Sequence, residues 1–169
     1  VSDSPYLHVG GDESWHLATC DTCRRRAEDA GGPGALLVEH FNRVAEIVTG
    51  LGKRPILWHD MLLYYDRRHL DALSRDCILA DWHYTRLDPY PRQPLYNHAR
   101  VHTLQEFRSR GFDVIACTNT GGPYRPSAEN VADFARYARG WGTMGTCSTV
   151  WGTRRSSWEL LWPALAYGA

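Results

Sequence analysis

Short apolar runs alternate strictly with amphipathic stretches along the whole chain, and that order leaves few folds open. Strands are expected at residues 6–9, 55–58, 78–82, 114–117 and 146–150, each a brief run of aliphatic, β-branched or aromatic side chains. Between the first two, Leu37, Phe41, Val44, Ala45, Val48 and Leu51 recur at helical spacing, with Pro33 as a start signal and Gly52 as a stop. Shorter helices are expected at residues 68–73 and 101–110, the second carrying Val101, Leu104 and Phe107 on one face before Gly111. Ser127 is expected to cap a helix with Val131, Phe134, Ala135 and Ala138. Ser156 and Glu159 form a capping box before Leu160, Leu161 and Leu165.

Strands that alternate with helices pair in parallel through crossovers, which places the chain in the α/β class. Two architectures fit. An open doubly wound sheet predicts a glycine-rich phosphate turn after an early strand, but the turn here, Gly10-Gly11, runs into two carboxylates that would repel phosphate. A (β/α)8 TIM barrel instead gathers working residues at the C-terminal ends of its strands. Asp12, Glu13, Trp58, Asp60, Trp82, Tyr84, Asn119 and Trp151 all fall there, so the barrel is the expected fold.

Composition narrows the partner. With 169 residues, 43% of them hydrophobic, the chain can build one sizeable core. Its nineteen basic and nineteen acidic residues cancel, and no basic block exceeds Arg24-Arg25-Arg26, so no electrostatic footprint for nucleic acid is present. No run of about eighteen apolar residues is present to span a membrane. Seven Trp and nine Tyr are a heavy aromatic load, suited to stacking on the C–H faces of sugars as well as to filling a core. The five cysteines are an odd number, and Cys77, Cys117 and Cys147 lie in or beside apolar runs where thiols are expected to be buried. A disulfide framework is therefore not expected. Unpaired thiols favour a cytoplasmic location without fixing it, because an export signal can precede Val1.

The chemistry concentrates in His8-Val9-Gly10-Gly11-Asp12-Glu13. Neighbouring side chains on a strand point to opposite faces, so Asp12 and Glu13 can share a pocket only if the extended backbone breaks before them. Two glycines without Cβ atoms allow that break. His8, inside the strand, is expected to be a buried hydrogen-bonding residue that braces the acids. Trp58, Trp82 and Trp151 each close a strand, so barrel curvature would bring their rings to one rim. Trp15, Trp141, Trp158 and Trp162 lie elsewhere and are expected to pack.

This hexapeptide resembles the His-x-Gly-Gly-Asp-Glu signature of glycoside hydrolase family 20, the β-N-acetylhexosaminidases. Arg54-Pro55-Ile56-Leu57-Trp58-His59-Asp60-Met61 and Leu79-Ala80-Asp81-Trp82-His83-Tyr84 resemble the tryptophan-bearing strands that follow in that family, particularly its hexosaminidase D-like branch. The resemblance places the acid pair after the fourth barrel strand. Residues 1–169 are then strands four to eight, the first three βα units are absent, and a missing N-terminal barrel half or a partner chain is needed to cover two open sheet edges.

The resemblance implies hydrolysis of terminal β-linked GlcNAc or GalNAc with retention, assisted by the substrate's own acetamide and using no metal or organic cofactor. Glu13 would protonate the leaving oxygen and later deprotonate water, while Asp12 would orient the acetamide and stabilise the oxazolinium. His8, Trp58, Asp60, Trp82, Tyr84, Asn119 and Trp151 would bind the substrate. The sequence departs from the family's seventh-strand Tyr-x-Asp, reading Cys117-Thr118-Asn119-Thr120, with Tyr84 or Tyr124 as replacements. It also departs from the eighth-strand Trp-x-Glu, reading Trp151-Gly152-Thr153, with His59, Asp60 or Asn119 as stand-ins.

Two rival readings compete. One is a non-catalytic sugar-binding homologue. The other is a metal-dependent hydrolase on a barrel with His8, Asp12, His59 and His83 as ligands. Cys20-x-x-Cys23, with His16 or His40, has the ligand types of a zinc site but lacks a second pair, and is expected to hold unpaired loop thiols.

Overall fold

In the computed structural model, which describes residues 3–84, 97, 100–121 and 128–151, the five expected strands form one parallel sheet in sequence order. They are β1 (Tyr6–His8), β2 (Arg54–Trp58), β3 (Ile78–Trp82), β4 (Asp113–Gly121) and β5 (Gly145–Val150). His8 lies opposite Ile56, Trp58 opposite Ala80, and Trp82 opposite Cys117, so the strand ends stay in step across the sheet. A sheet ordered one to five has no point of reversal, and right-handed crossovers then lay every helix on the same face. The doubly wound alternative needs such a reversal and is excluded. The architecture is a partial (β/α)8 barrel.

The helices are α1 (Asp21–Ala30), α2 (Pro33–Gly50), α3 (Asp60–Asp66), α4 (Thr103–Ser109) and α5 (Ala128–Gly140), with a 3-10 turn at Arg67–Ala72 after α3. α2 begins at Pro33, whose fixed φ suits a first helical position, and its apolar stripe of Leu37, Phe41, Ala45 and Val48 is buried as the spacing required. Burying a side chain such as Phe41 contributes roughly 1.5–3 kcal/mol.

Strand alternation sorts the remaining core into two layers. Leu57, Leu79, Val114 and Ala116 face the helices with Phe41, Met61, Leu104, Phe107 and Phe134. Ala80, Trp82, Tyr84 and Cys117 face the other way, with Ile56, Trp58 and Ile115 packed against them. The second layer is the barrel interior, and its upper end is aromatic.

Several expectations are corrected. α1 and α3 are additional to the expected helices, and the helix expected at residues 68–73 is the 3-10 turn. The Cys20-x-x-Cys23 pair is not in a plain loop: Cys20 caps α1, its sulfur accepting the Cys23 N–H at 3.4 Å. Cys77 and Cys117 are buried, but Cys147 is exposed because β5 has β4 as its one partner among the described residues. The Cys117 thiol lies opposite it across the strands and holds its pKa down at about 6. The Ser127 cap, the helix after Ser156, Tyr124, Gly152, Thr153, Trp158 and Trp162 lie outside the described residues.

No helix among the described residues is long and apolar enough to cross a membrane.

Candidate active site

The acid loop starts where β1 stops pairing. The ladder with β2 continues past His8, the Val9 N–H donating to the Ile56 carbonyl at 2.8 Å and the Trp58 N–H to the Gly10 carbonyl at 3.0 Å. The backbone then turns through φ values of +74° at Gly10 and +101° at Gly11, conformations that side chains resist. Gly11 has a second reason to lack a side chain. A Cβ there would be driven into the Phe41 ring, with Cε1 at 2.8 Å, whereas a Cβ on Gly10 meets nothing within 4 Å. Gly10→Ala is therefore expected to cost about 1 kcal/mol from backbone strain, and Gly11→Ala roughly 1–3 kcal/mol more from overpacking against α2. Thermal unfolding of the two variants side by side measures the gap; equal losses would refute the Phe41 contact as its cause.

Beyond the glycines, Glu13 also takes a left-handed conformation at φ +49° and is held in it. Its N–H donates to Asp60 Oδ2 at 2.9 Å, and its carbonyl accepts the Trp15 N–H at 2.9 Å. Asp60 sits in the first turn of α3 with no solvent exposure, and its other oxygen accepts the indole N–H of Trp82 at 3.3 Å. Burial pushes the Asp60 carboxyl up from its ordinary value, against the pull of His59 and of these donors. Five residues later on the same helix, the Tyr65 hydroxyl donates to the Ser14 carbonyl at 2.6 Å and accepts the Leu17 N–H at 3.1 Å. One short helix thus fastens the acid loop in two places.

Facing this loop is a continuous run of rings. His8 lies 4.6 Å from Trp58 between centroids, Trp58 lies 6.1 Å from Trp151, Trp151 lies 6.2 Å from Tyr84, and Tyr84 stacks on Trp82 at 4.9 Å. Burial raises the Tyr84 hydroxyl's pKa, opposed by the Thr149 and Trp151 side chains on β5 and just after it. Asp12, Glu13, Trp58, Trp82, Tyr84 and Trp151 together line one open cavity. Two acids beside an aromatic wall can hold a sugar ring by its apolar face and move a proton at its edge.

The other expected site residues are placed differently. His8 is exposed rather than buried, since β1 has β2 as its one partner among the described residues, but it does brace the hinge: its Nδ1 accepts the Gly10 N–H at 3.0 Å. Desolvation lowers its pKa despite the charge of Asp12, in keeping with a neutral, accepting imidazole. Asp60 and Asn119 are fully buried and are not among the cavity's lining residues. Asp60 acts beneath the cavity, and the Asn119 N–H is taken by Asn130 Oδ1 at 3.0 Å.

The ligand set His8, Asp12, His59 and His83 does not assemble. The two strand-end histidines are buried with Asp81, while His8 and Asp12 are exposed at the acid loop. Nor do Cys20, Cys23, His16 and His40 form a metal-ligand group among the described residues. Trp15 packs against both core layers as expected, whereas Trp141 is exposed on the outer surface against His102.

The sequence model of the glycosyl hydrolase family 20 catalytic domain matches residues 1–124, which carry β1 to β4 and the acid loop. The chain belongs to glycosyl hydrolase family 20. Among solved structures, it is similar to a β-N-acetylhexosaminidase from Bacteroides fragilis, with a TM-score of 0.65 and 19% identity over 97% of this chain and 34% of that one. It is also similar to the family 20 catalytic modules of the pneumococcal exo-β-D-N-acetylglucosaminidase, with a TM-score of 0.57 and 14% identity over 95% of this chain and 41% of that one. At these identities the likeness speaks to the fold. The chain spans between a third and about two-fifths of the length of these solved family 20 chains. No curated protein sequence matches it.

Proposed function

We propose that this chain supplies the acid pair and the sugar wall of a family 20 β-N-acetylhexosaminidase that removes terminal, non-reducing β-linked GlcNAc or GalNAc by substrate-assisted retention. The observation that carries the reading is the shared cavity, in which two consecutive carboxylates and four aromatic side chains meet. Retaining glycosidases that use an enzymic nucleophile place their two carboxyls on opposite flanks of the scissile bond, about 5–5.5 Å apart. Consecutive residues of one turn are poorly suited to straddle a sugar in that way. They suit a mechanism in which the substrate's 2-acetamido oxygen is the nucleophile.

In the first step that oxygen bonds to the anomeric carbon as the glycosidic C–O bond breaks and Glu13 gives its proton to the departing oxygen. Asp12, ionised, orients the acetamide and offsets positive charge on the oxazolinium. In the second step Glu13 takes a proton from water as the water oxygen bonds to the anomeric carbon and the oxazolinium ring opens. Both acids return to their starting states. Trp58, Trp82, Tyr84 and Trp151 enclose the ring and acetamide and keep bulk water out. The steps need neither metal nor organic cofactor.

The same reading takes residues 1–169 as strands four to eight of the barrel. The exposed Tyr6 and Leu7 of β1, whose other edge meets no strand among the described residues, support a covering by further barrel units or a partner chain.

The test uses the full-length protein and 4-nitrophenyl N-acetyl-β-D-glucosaminide beside its N-trifluoroacetyl analogue, whose carbonyl oxygen is a weaker nucleophile. Hydrolysis is expected to release the β-anomer first and to slow steeply on fluorination. An inverted product, or indifference to fluorination, would overturn the mechanism. Saturable sugar binding with no turnover would favour a non-catalytic homologue.

A further inference from the structure

Behind the aromatic wall, on the helix side of the sheet, lies a polar cluster that the hydrolytic reading does not use. Asp81 is the residue of β3 before Trp82, so strand alternation turns it away from the cavity and towards α3 and α4. It is fully buried, as is His59 at the N-cap of α3, and His83 just after β3 is 2% exposed. An anionic carboxylate and two imidazoles in such surroundings are costly unless every polar atom is satisfied.

The outer atoms of the cluster are satisfied. The Thr103 hydroxyl, at the start of α4, donates to Asp81 Oδ2 at 2.6 Å. His59 Nδ1 lies 3.2 Å from the Ala80 carbonyl. The inner atoms are not. Asp81 Oδ1 and His59 Nε2 are buried without an aligned hydrogen bond, and they face each other at 3.3 Å. His83 Nε2 lies 2.9 Å from that same Oδ1 and 3.1 Å from the Thr103 hydroxyl, contacts that an Nε2–H makes and that an ion on Nε2 would replace.

We propose that His59 Nε2, His83 Nε2 and Asp81 Oδ1 form a buried site for a divalent transition-metal ion, zinc foremost. The three residues' ligand atoms lie within 4.8 Å of one another. Ligands about 2.0–2.2 Å from one zinc ion sit roughly 3.3 Å apart at the tetrahedral angle, close to the two spacings seen here. The outer contacts are those that metal ligands keep. An Nδ1–H given to a backbone carbonyl leaves Nε2 with its lone pair for the ion, and a hydroxyl on one carboxylate oxygen leaves the other free. Two imidazoles and one carboxylate suit zinc and its first-row neighbours rather than calcium or magnesium.

This site is distinct from the acid pair and does not depend on the hydrolytic reading. Its role is to pin the start of α3, where Asp60 follows His59, to the end of β3, where Trp82 and Tyr84 flank His83. Without the ion, His59 in its other tautomer would accept the Trp82 N–H at Nδ1, 3.3 Å away, and donate from Nε2 to Asp81. The cluster would then be a hydrogen-bonded brace.

The experiment takes the full-length protein, produced in zinc-supplemented medium without a polyhistidine tag, and measures metal by plasma mass spectrometry after gel filtration in chelator-free buffer. About one zinc per chain is expected, falling at least tenfold in Asp81→Asn and His83→Gln. Should those variants fail to fold, anomalous X-ray scattering at the zinc edge from wild-type crystals decides by position. A peak among the three ligand atoms supports the site. Zinc below about a tenth per chain together with no Co2+ uptake at roughly micromolar concentration, or a peak elsewhere such as Cys20 and Cys23, overturns it.

Discussion

Glu13→Gln in the full-length protein is expected to lower kcat on N,N′-diacetylchitobiose by about 10²–10⁴-fold, the range that a positioned general acid and base supplies. Glutamine keeps the shape of the side chain and leaves the backbone N–H of residue 13 on Asp60, so the loop should hold its conformation and KM should change little. The dependence on leaving group is the sharper test. A 4-nitrophenolate departs with little help from a proton, so the loss in the first step should shrink on the aryl substrate. Asp12→Asn should behave otherwise, because stabilising the oxazolinium is needed whatever group departs. If both variants respond alike to the leaving group, the assignment of separate roles to the two acids is wrong.

Asp60→Asn is the second large effect. The carboxylate accepts two N–H groups, one from the backbone of Glu13 and one from the indole of Trp82. An amide offers one oxygen and one NH2, so one of the two donors must face another donor in a site closed to bulk solvent. A buried group left unpaired in this way costs about 1–3 kcal/mol, which should appear as a lower Tm. On the proposed reading activity should fall as well, roughly 10–100-fold in kcat/KM, because Glu13 and the aromatic wall lose a shared reference point. A residue that touches a sugar hydroxyl directly would show itself mainly in KM. A brace beneath the cavity should lower kcat too, and a pure KM effect would return Asp60 to the substrate-contact role expected from sequence.

Much of this arrangement was legible in the chain because it is local. Apolar runs marked all five strands, and the stripe from Leu37 to Val48 marked α2. Gly10-Gly11 before two acids marked a break in β1, and both glycines have positive φ. Trp58, Trp82 and Trp151 at strand ends marked the wall.

What escaped depends on distant partners or on an absent pattern. α1 carries Ala27 as its one buried residue, so no apolar stripe announced it, although Asp21 in its first turn and Gly31 at its end are fair capping signals. α3 buries Asp60, Met61, Leu62 and Leu63 in succession, which erases the 3.6-residue rhythm. The direction of Asp60 was hidden because its donors come from residues 13 and 82. Alternation along β3 does put Asp81 opposite Trp82, but burial of that carboxylate is set by Thr103, more than twenty positions away.

The grip of α3 on the acid loop bears on how such a loop can be transplanted. Its seven residues reach the loop at Glu13, Ser14 and Leu17 and reach the tryptophan wall at Trp82. Moving the hexapeptide alone into a foreign barrel would carry the reactive groups without their anchor. The smallest exchangeable cassette runs from the acid turn through Trp82, which makes recombination between relatives far safer beyond β3 than between Glu13 and Asp60.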